Sequence, residues 1–160
     1  MPSPAGVAVQ TMGFLRSLEP QHIWHDYTLV HASPRQPIWE YILDPETALE
    51  NFPFITTPYC LVGHTHQPVM YQQLAPGGEV VEDEPDYTAP CRLNRQRFII
   101  NPGSVGQPRD NNPGAAYALL DTDAEVWQFC RVAYDIGATQ SRLRAAGLPE
   151  RLAARLSYGW

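Results

Sequence analysis

Three histidines carry the first chemical signal in the chain. His64 and His66 stand one residue apart in "YCLVGHTH", and His31 follows "YTLV" in "YTLVHASP". Neutral imidazole is a common ligand for zinc, iron, manganese and similar divalent ions, and residues at i and i+2 of an extended loop can present both rings to one centre or to two adjacent ones. Gly63 lets the backbone turn sharply ahead of the pair. An isolated His-x-His is also an ordinary loop sequence, and a lone histidine after a strand often satisfies a carbonyl. On spacing alone, both readings stand.

The elements that must position these rings repeat a pattern. "YTLVHASP", "YCLVGHTH" and "RFIINPGS" each run from a short apolar, β-branched or aromatic stretch straight into polar or small residues. Open α/β sheets bind ligands outside the carboxyl ends of their strands, so three such endings point to one shared site. Arg35 and Arg109 lie close in sequence to two of these endings, where either could pair with an anion or remain a surface residue. His22 and His25, flanking Trp24, read as structural or exposed.

Around these segments the sequence predicts an amphipathic helix over residues 11–18, a strand over 23–30, a helix capped by Asp44 with Pro45 in its first turn, a strand ahead of the Pro-Gly-Gly turn at 76–78, and another over 97–100. "EDEPD" reads as a solvated acidic loop. "AAYALLD" and "EVWQFCRVAYD" form an antiparallel pair, and helices over 138–146, stopped by Gly147, and 149–156 follow.

The chain has 160 residues, with 44% apolar, 18% charged and 16 prolines, as expected of one domain with short elements and stiff loops. Its net charge of −6 offers no general attraction to the phosphate backbone of long nucleic acid. An anionic substrate would need a local positive centre, which metal ions supply well. Three scattered cysteines argue against a disulfide framework. Neither a signal peptide nor a membrane span is legible, so a soluble cytoplasmic protein is expected.

Taken together, "LVHASPRQPIWEYI", "LVGHTHQPV" and "INPGSVGQPRD", followed by "AAYALLD", resemble the C-terminal half of a calcineurin-like metallophosphoesterase of the small bacterial phosphodiesterase-like branch. The resemblance implies an α/β (α+β) fold: residues 1–160 as a single unit forming the C-terminal portion of a phosphoesterase β-sandwich, with mixed sheets flanked by helices. It implies hydrolysis of phosphate mono- or diesters at a dinuclear centre of divalent ions (Mn, Fe, Zn or Ni). His31 and His64 would serve one metal and His66 the other, with Asn101, Gly103, Ser104, Arg35 and Arg109 as substrate-side candidates. Small phosphoesters, nucleotides or phosphoproteins would be substrates.

The sequence also departs from the family pattern. The Asp-x-His, Gly-Asp and Gly-Asn-His-Asp motifs of the family's N-terminal half do not occur. Three neutral imidazoles bring no negative charge to two dications, so tight binding of two metals is not expected; one zinc on all three rings is conceivable if they face one point. The missing βα units should leave a sheet edge or apolar face exposed, inviting a partner or self-association. The chain is therefore expected to be inactive or weak alone. A non-catalytic interaction module on the same fold and one half of a split enzyme are the alternatives.

Overall fold

A computed structural model describes the backbone of residues 4–160 and the side chains from Val9 onward. Its centre is a six-stranded mixed sheet. The spatial order is β1 (Gln21–Trp24), β2 (Tyr27–Val30), β3 (Tyr59–Leu61), β7 (Arg97–Pro102), β4 (Pro68–Gln73), β5 (Val80–Asp83). The middle strands β2, β3 and β7 run parallel, and the outer pairings β1/β2, β7/β4 and β4/β5 are antiparallel. A second, antiparallel sheet holds β6 (Cys91–Arg92), β9 (Val126–Val132) and β8 (Ala115–Asp121), in that order.

Period-2 alternation explains why the large sheet is buried on both faces. Along β7, Ile99 points into a core with Cys60, Tyr71, Ala48 and Phe52. Its neighbours Phe98 and Ile100 point the other way, onto Tyr59, Met70, Trp127 and Phe129. The first core lies under helix α2 (Pro45–Asn51), the second between the two sheets. The result is a partial sandwich of one mixed and one antiparallel sheet with helices, in line with the fold that the family resemblance implies.

Local chemistry sets the element boundaries. Asp44 caps α2 by accepting from the Thr47 amide at 2.7 Å, with Pro45 in the first turn as the sequence predicts. Arg97 locks the far end of α2 to the sheet: its guanidinium donates to the carbonyls of Phe52 at 2.8 Å and Ile55 at 2.7 Å and lies over the Phe52 ring. Helices α3 (Ile136–Ala145) and α4 (Glu150–Ala154) close the chain, with Gly147 at φ +70 ending the first.

Three expectations change. The single strand over 23–30 is a hairpin of β1 and β2, because His25 takes φ 50 and reverses the chain between Trp24 and Tyr27. The acidic segment is not wholly a loop, since Glu82 and Asp83 finish β5 opposite Tyr71 and Met70. The first helix, α1, runs over Pro4–Ser17, and its Val9, Met12, Phe14 and Leu15 are exposed rather than packed on a core.

Candidate metal and phosphoester site

Because β2, β3 and β7 are parallel neighbours, their carboxyl ends meet at one edge of the sheet, and the three loops converge there as the sequence pattern implies. His31 Nε2 and His64 Nδ1 lie 3.0 Å apart. Two nitrogens held at about 2.1 Å by one ion, in cis-octahedral or tetrahedral arrangement, are about 3.0–3.4 Å apart, so this pair fits a shared cation as well as a direct hydrogen bond. Tyr41 stacks on the His64 ring at 4.2 Å between centroids, tilted by only 18°. Burial and then the neighbouring His31 push the His64 pKa below its ordinary value, against a hydrogen bond to the Trp39 backbone.

His66 is held differently. Its Nδ1 donates to the Gln107 carbonyl at 2.8 Å, which leaves Nε2 as the lone-pair nitrogen. Burial pushes its pKa down, the Gln107 bond pulls it up, and the positive charges of Arg109 and Arg155 lower it further.

The backbone between the two rings is unusual. His64 and His66 both have positive φ, at 62 and 61, a region that costs a β-carbon-bearing residue about 1–2 kcal/mol. Buried Thr65 fixes both. Its amide bonds Gly63 O at 2.7 Å, its hydroxyl accepts from the Gln67 amide at 3.2 Å, and Gly63 is tied to His31 O at 2.9 Å.

Asn101, a substrate-side candidate from the sequence, is 1% exposed and turned into this loop. Its amide nitrogen donates to Gly63 O at 2.7 Å and Thr65 Oγ1 at 2.9 Å, while its oxygen accepts from the Gly103 amide at 2.9 Å. Gly103 has φ +87, and a β-carbon there would meet Ala116 Cβ at 2.7 Å. The Ser104 hydroxyl accepts from the amides of Gly106 and Gln107, at 3.2 and 2.9 Å. In this geometry all three shape the site.

The two arginines part company. Arg35 donates to Glu40 and Glu50, so its charge is consumed. Arg109 sits beside His66, its amide donating to His66 O at 3.3 Å, with a buried Nε that has no hydrogen-bond partner among the described residues. It also borders a polar cleft of about 390 Å³ that includes Gln67, Tyr71, Glu82 and Glu84. Tyr41, Thr65 and Gln107 were not singled out by the sequence; a backbone carbonyl and a stacking ring leave no spacing signature.

The chain superposes on the crystal structure of a metallophosphoesterase from Sphaerobacter thermophilus with a TM-score of 0.88 at 44% identity, over 94% of this chain and 62% of that one. The chain has part of the metallophosphoesterase fold. A hypothetical protein from Pyrococcus horikoshii OT3 shares the fold at a TM-score of 0.70 and 21% identity, covering 94% of this chain and 55% of that one. An uncharacterized protein of Methanocaldococcus jannaschii is 34% identical over 134 residues, 81% of this chain. The chain thus spans about half, 50%, of the length of the curated relative it matches. No family model matches it.

The donor set tests how far a metal centre fits this chain. Ring spacing at His31 and His64 and the free Nε2 of His66 suit ligation. Yet among the described residues no group of three or more His, Cys, Asp or Glu is placed to hold an ion. One zinc on all three histidines, conceivable from the sequence, is therefore not a grouping that the described residues present. No helix among the described residues is long and apolar enough to cross a membrane.

Proposed function

We propose that this chain supplies the histidine side of a metal-dependent phosphoesterase centre that hydrolyses phosphate mono- or diesters. The observation that carries this reading is the approach of His31 Nε2 to His64 Nδ1 at 3.0 Å, where adjacent parallel strands end, with His66 in the tautomer that frees Nε2. His31 and His64 would hold one divalent ion (Mn, Fe, Zn or Ni) and His66 a second. Such ions supply Lewis-acid polarisation of a phosphoryl oxygen and a water acidic enough to react near neutral pH. The protein's own part is to fix the rings: Asn101 and Thr65 hold the loop, Tyr41 sets the His64 plane, and Arg109 offers a cation to a small phosphoester, nucleotide or phosphoprotein.

Carboxylates that would balance the charge of two ions must come from a further polypeptide segment. The relatives have length for one, since this chain matches only part of each. The 160-residue chain alone should bind Mn²⁺ or Zn²⁺ weakly and hydrolyse an aryl phosphodiester poorly if at all. Turnover at rates ordinary for enzymes, about 1–10³ s⁻¹, would overturn the dependence on a further segment. Metal titration that His64→Ala leaves unchanged would overturn the site itself.

A second reading, an interaction module that keeps the fold without chemistry, draws on an open apolar groove of about 600 Å³ beside His31, walled by Leu18, Leu29, Leu61 and Trp127. A monodisperse chain that takes up no metal and binds a specific protein would favour it. An adjoining reading frame encoding Asp-x-His and Gly-Asn-His-Asp would favour a split enzyme.

A further inference from the structure

The polar cleft of about 390 Å³ beside His66 carries unpaired charge of both signs. Gln67, which follows His66, and Arg109 form its wall on the histidine side: Gln67 Nε2 donates to Arg109 O at 3.1 Å, and Arg109 N donates to His66 O at 3.3 Å. Among the described residues the Arg109 guanidinium takes part in no ion pair. Its Nε is buried without a partner, and its one side-chain bond is long, from Nη2 to Gln107 Oε1 at 3.4 Å. A second wall comes from the β4/β5 ladder, where Tyr71 stands opposite Glu82, so their side chains share a face. Glu84 lines the cleft as well, and neither glutamate has an ion pair among the described residues. Asp110, the remaining carboxylate of the lining, is taken up by Arg131.

Tyr71 points to a ligand independently of these charges. It is 2% exposed and its ring packs in the core under α2, yet its hydroxyl is not sealed there: it opens to the cleft with no hydrogen-bond partner among the described residues. Burial, then the charges of Glu82 and Asp44, push its pKa up, so the hydroxyl stays a neutral donor. Resting on the phosphoesterase reading, we propose that this cleft takes the alcohol part of the substrate, and that the preferred substrates are small phosphoesters whose alcohol carries an amino group. Arg109 pairs with the phosphate, Glu82 and Glu84 attract the ammonium, and Tyr71 donates to an oxygen of the ligand. The sign of the charge decides between alcohols. Two unpaired carboxylates in a chain of net charge −6 repel an anionic ester whose alcohol is neutral or acidic, and a cationic alcohol turns that repulsion into attraction. The cleft's size suits a small ligand.

The test is a pair of NMR titrations of the full 160-residue chain without metal, one with O-phosphoethanolamine and one with ethyl phosphate, which keeps the anion and lacks the amine. O-phosphoethanolamine should shift the amides of Gln67, Tyr71 and Glu82 and bind at least about threefold more tightly, a modest preference because both glutamates are exposed. The Glu82→Gln/Glu84→Gln variant, altered only at exposed side chains, should keep a native amide spectrum and bind both esters alike; Arg109→Gln should weaken both. Equal binding by wild type, a preference that survives in the double variant, or no shift at the cleft with either ester at millimolar concentration overturns the proposal. Vesicles of phosphatidylethanolamine in phosphatidylcholine separate a free ester from a lipid headgroup: the chain should stay in the supernatant, and co-sedimentation lost in the double variant would assign the same chemistry to a lipid. A preference without Zn²⁺ uptake would remove the phosphoesterase reading and leave a binding cleft, whereas Zn²⁺ uptake without the preference would remove this proposal alone.

Discussion

Asn101 Nδ2 donates to Thr65 Oγ1 at 2.9 Å, joining the end of β7 to the loop between His64 and His66. Both partners are buried, and the same amide reaches Gly63 O, so one side chain holds a loop whose two histidines sit at positive φ. The bond turns what the sequence offers as a substrate contact into the support on which both rings depend.

Replacing Asn101 tests this. Asn101→Ala leaves Gly63 O, Thr65 Oγ1 and the Gly103 amide without their partner in a buried site, and stranding such groups costs about 1–3 kcal/mol. Urea unfolding should show at least that loss. Asn101→Asp should be destabilising too, because it keeps the acceptor for Gly103 but removes both donated bonds; a variant as stable as wild type would show that the loop is held by other means.

Gly103→Ala combines two faults. The residue takes φ +87, and the new methyl would lie 2.7 Å from Ala116 Cβ, closer than carbon atoms pack. Left-handed strain of about 1–2 kcal/mol adds to overpacking of similar size. We expect a loss of about 2–4 kcal/mol in denaturant unfolding. By contrast, Gly106→Ala, with nothing within 4 Å of an added β-carbon, should be close to neutral.

What the sequence made legible follows from strong local rules. Apolar runs ending at His31, Gly63 and Asn101 are buried parallel strands, and their convergence is a property of such sheets. Asp44 and Pro45 announce a helix start whatever surrounds them. The hairpin at His25 was hidden, because "QHIWHDYTLV" alternates across both strands and no glycine marks the turn. The grip on His66 was hidden for another reason: its acceptor is the backbone oxygen of residue 107, far along the chain, and a backbone carbonyl leaves no mark in the residue pattern. Asn101's direction was equally unreadable, since the same carboxamide can face a substrate or a loop.

Stability should depend on pH through the imidazoles. In the folded chain His64 lies below its ordinary value of 6.5 through burial and His31, and His66 through burial and then the charges of Arg109 and Arg155, despite its Gln107 bond. The unfolded chain therefore binds more protons as pH falls below 6.5. Stability is complete above that value and declines as pH drops through the lowered folded values. Urea midpoints should fall between pH 7.5 and 5.5, and the His64→Gln/His66→Gln double variant should flatten the slope. A double variant with the wild-type slope would assign the dependence to other groups.

Tyr41 stays stacked on His64 only while its own segment is held. The 33–41 segment carries no regular structure, so something must hold its ring in place. Glu40, next to Tyr41, is that anchor: it accepts from Ser33 Oγ at 2.6 Å, Asn51 Nδ2 at 2.8 Å and Arg35 Nε at 3.0 Å, tying the segment to the end of α2. Burial pushes the Glu40 pKa up, but Arg35, Ser33 and Asn51 outweigh it and hold the carboxylate below its ordinary value. Glu40→Ala should lower Tm and let Tyr41 swing away, and the His64 ring protons should lose the upfield ring-current shift that a stacked tyrosine imposes. Glu50→Ala removes only the exposed carboxylate partner of Arg35, whose Glu40 bonds remain, and should leave the His64 shift in place. If Glu40→Ala folds and the His64 signals do not move, the stack is held by the Trp39 backbone bond to His64 instead of by the Glu40 clasp.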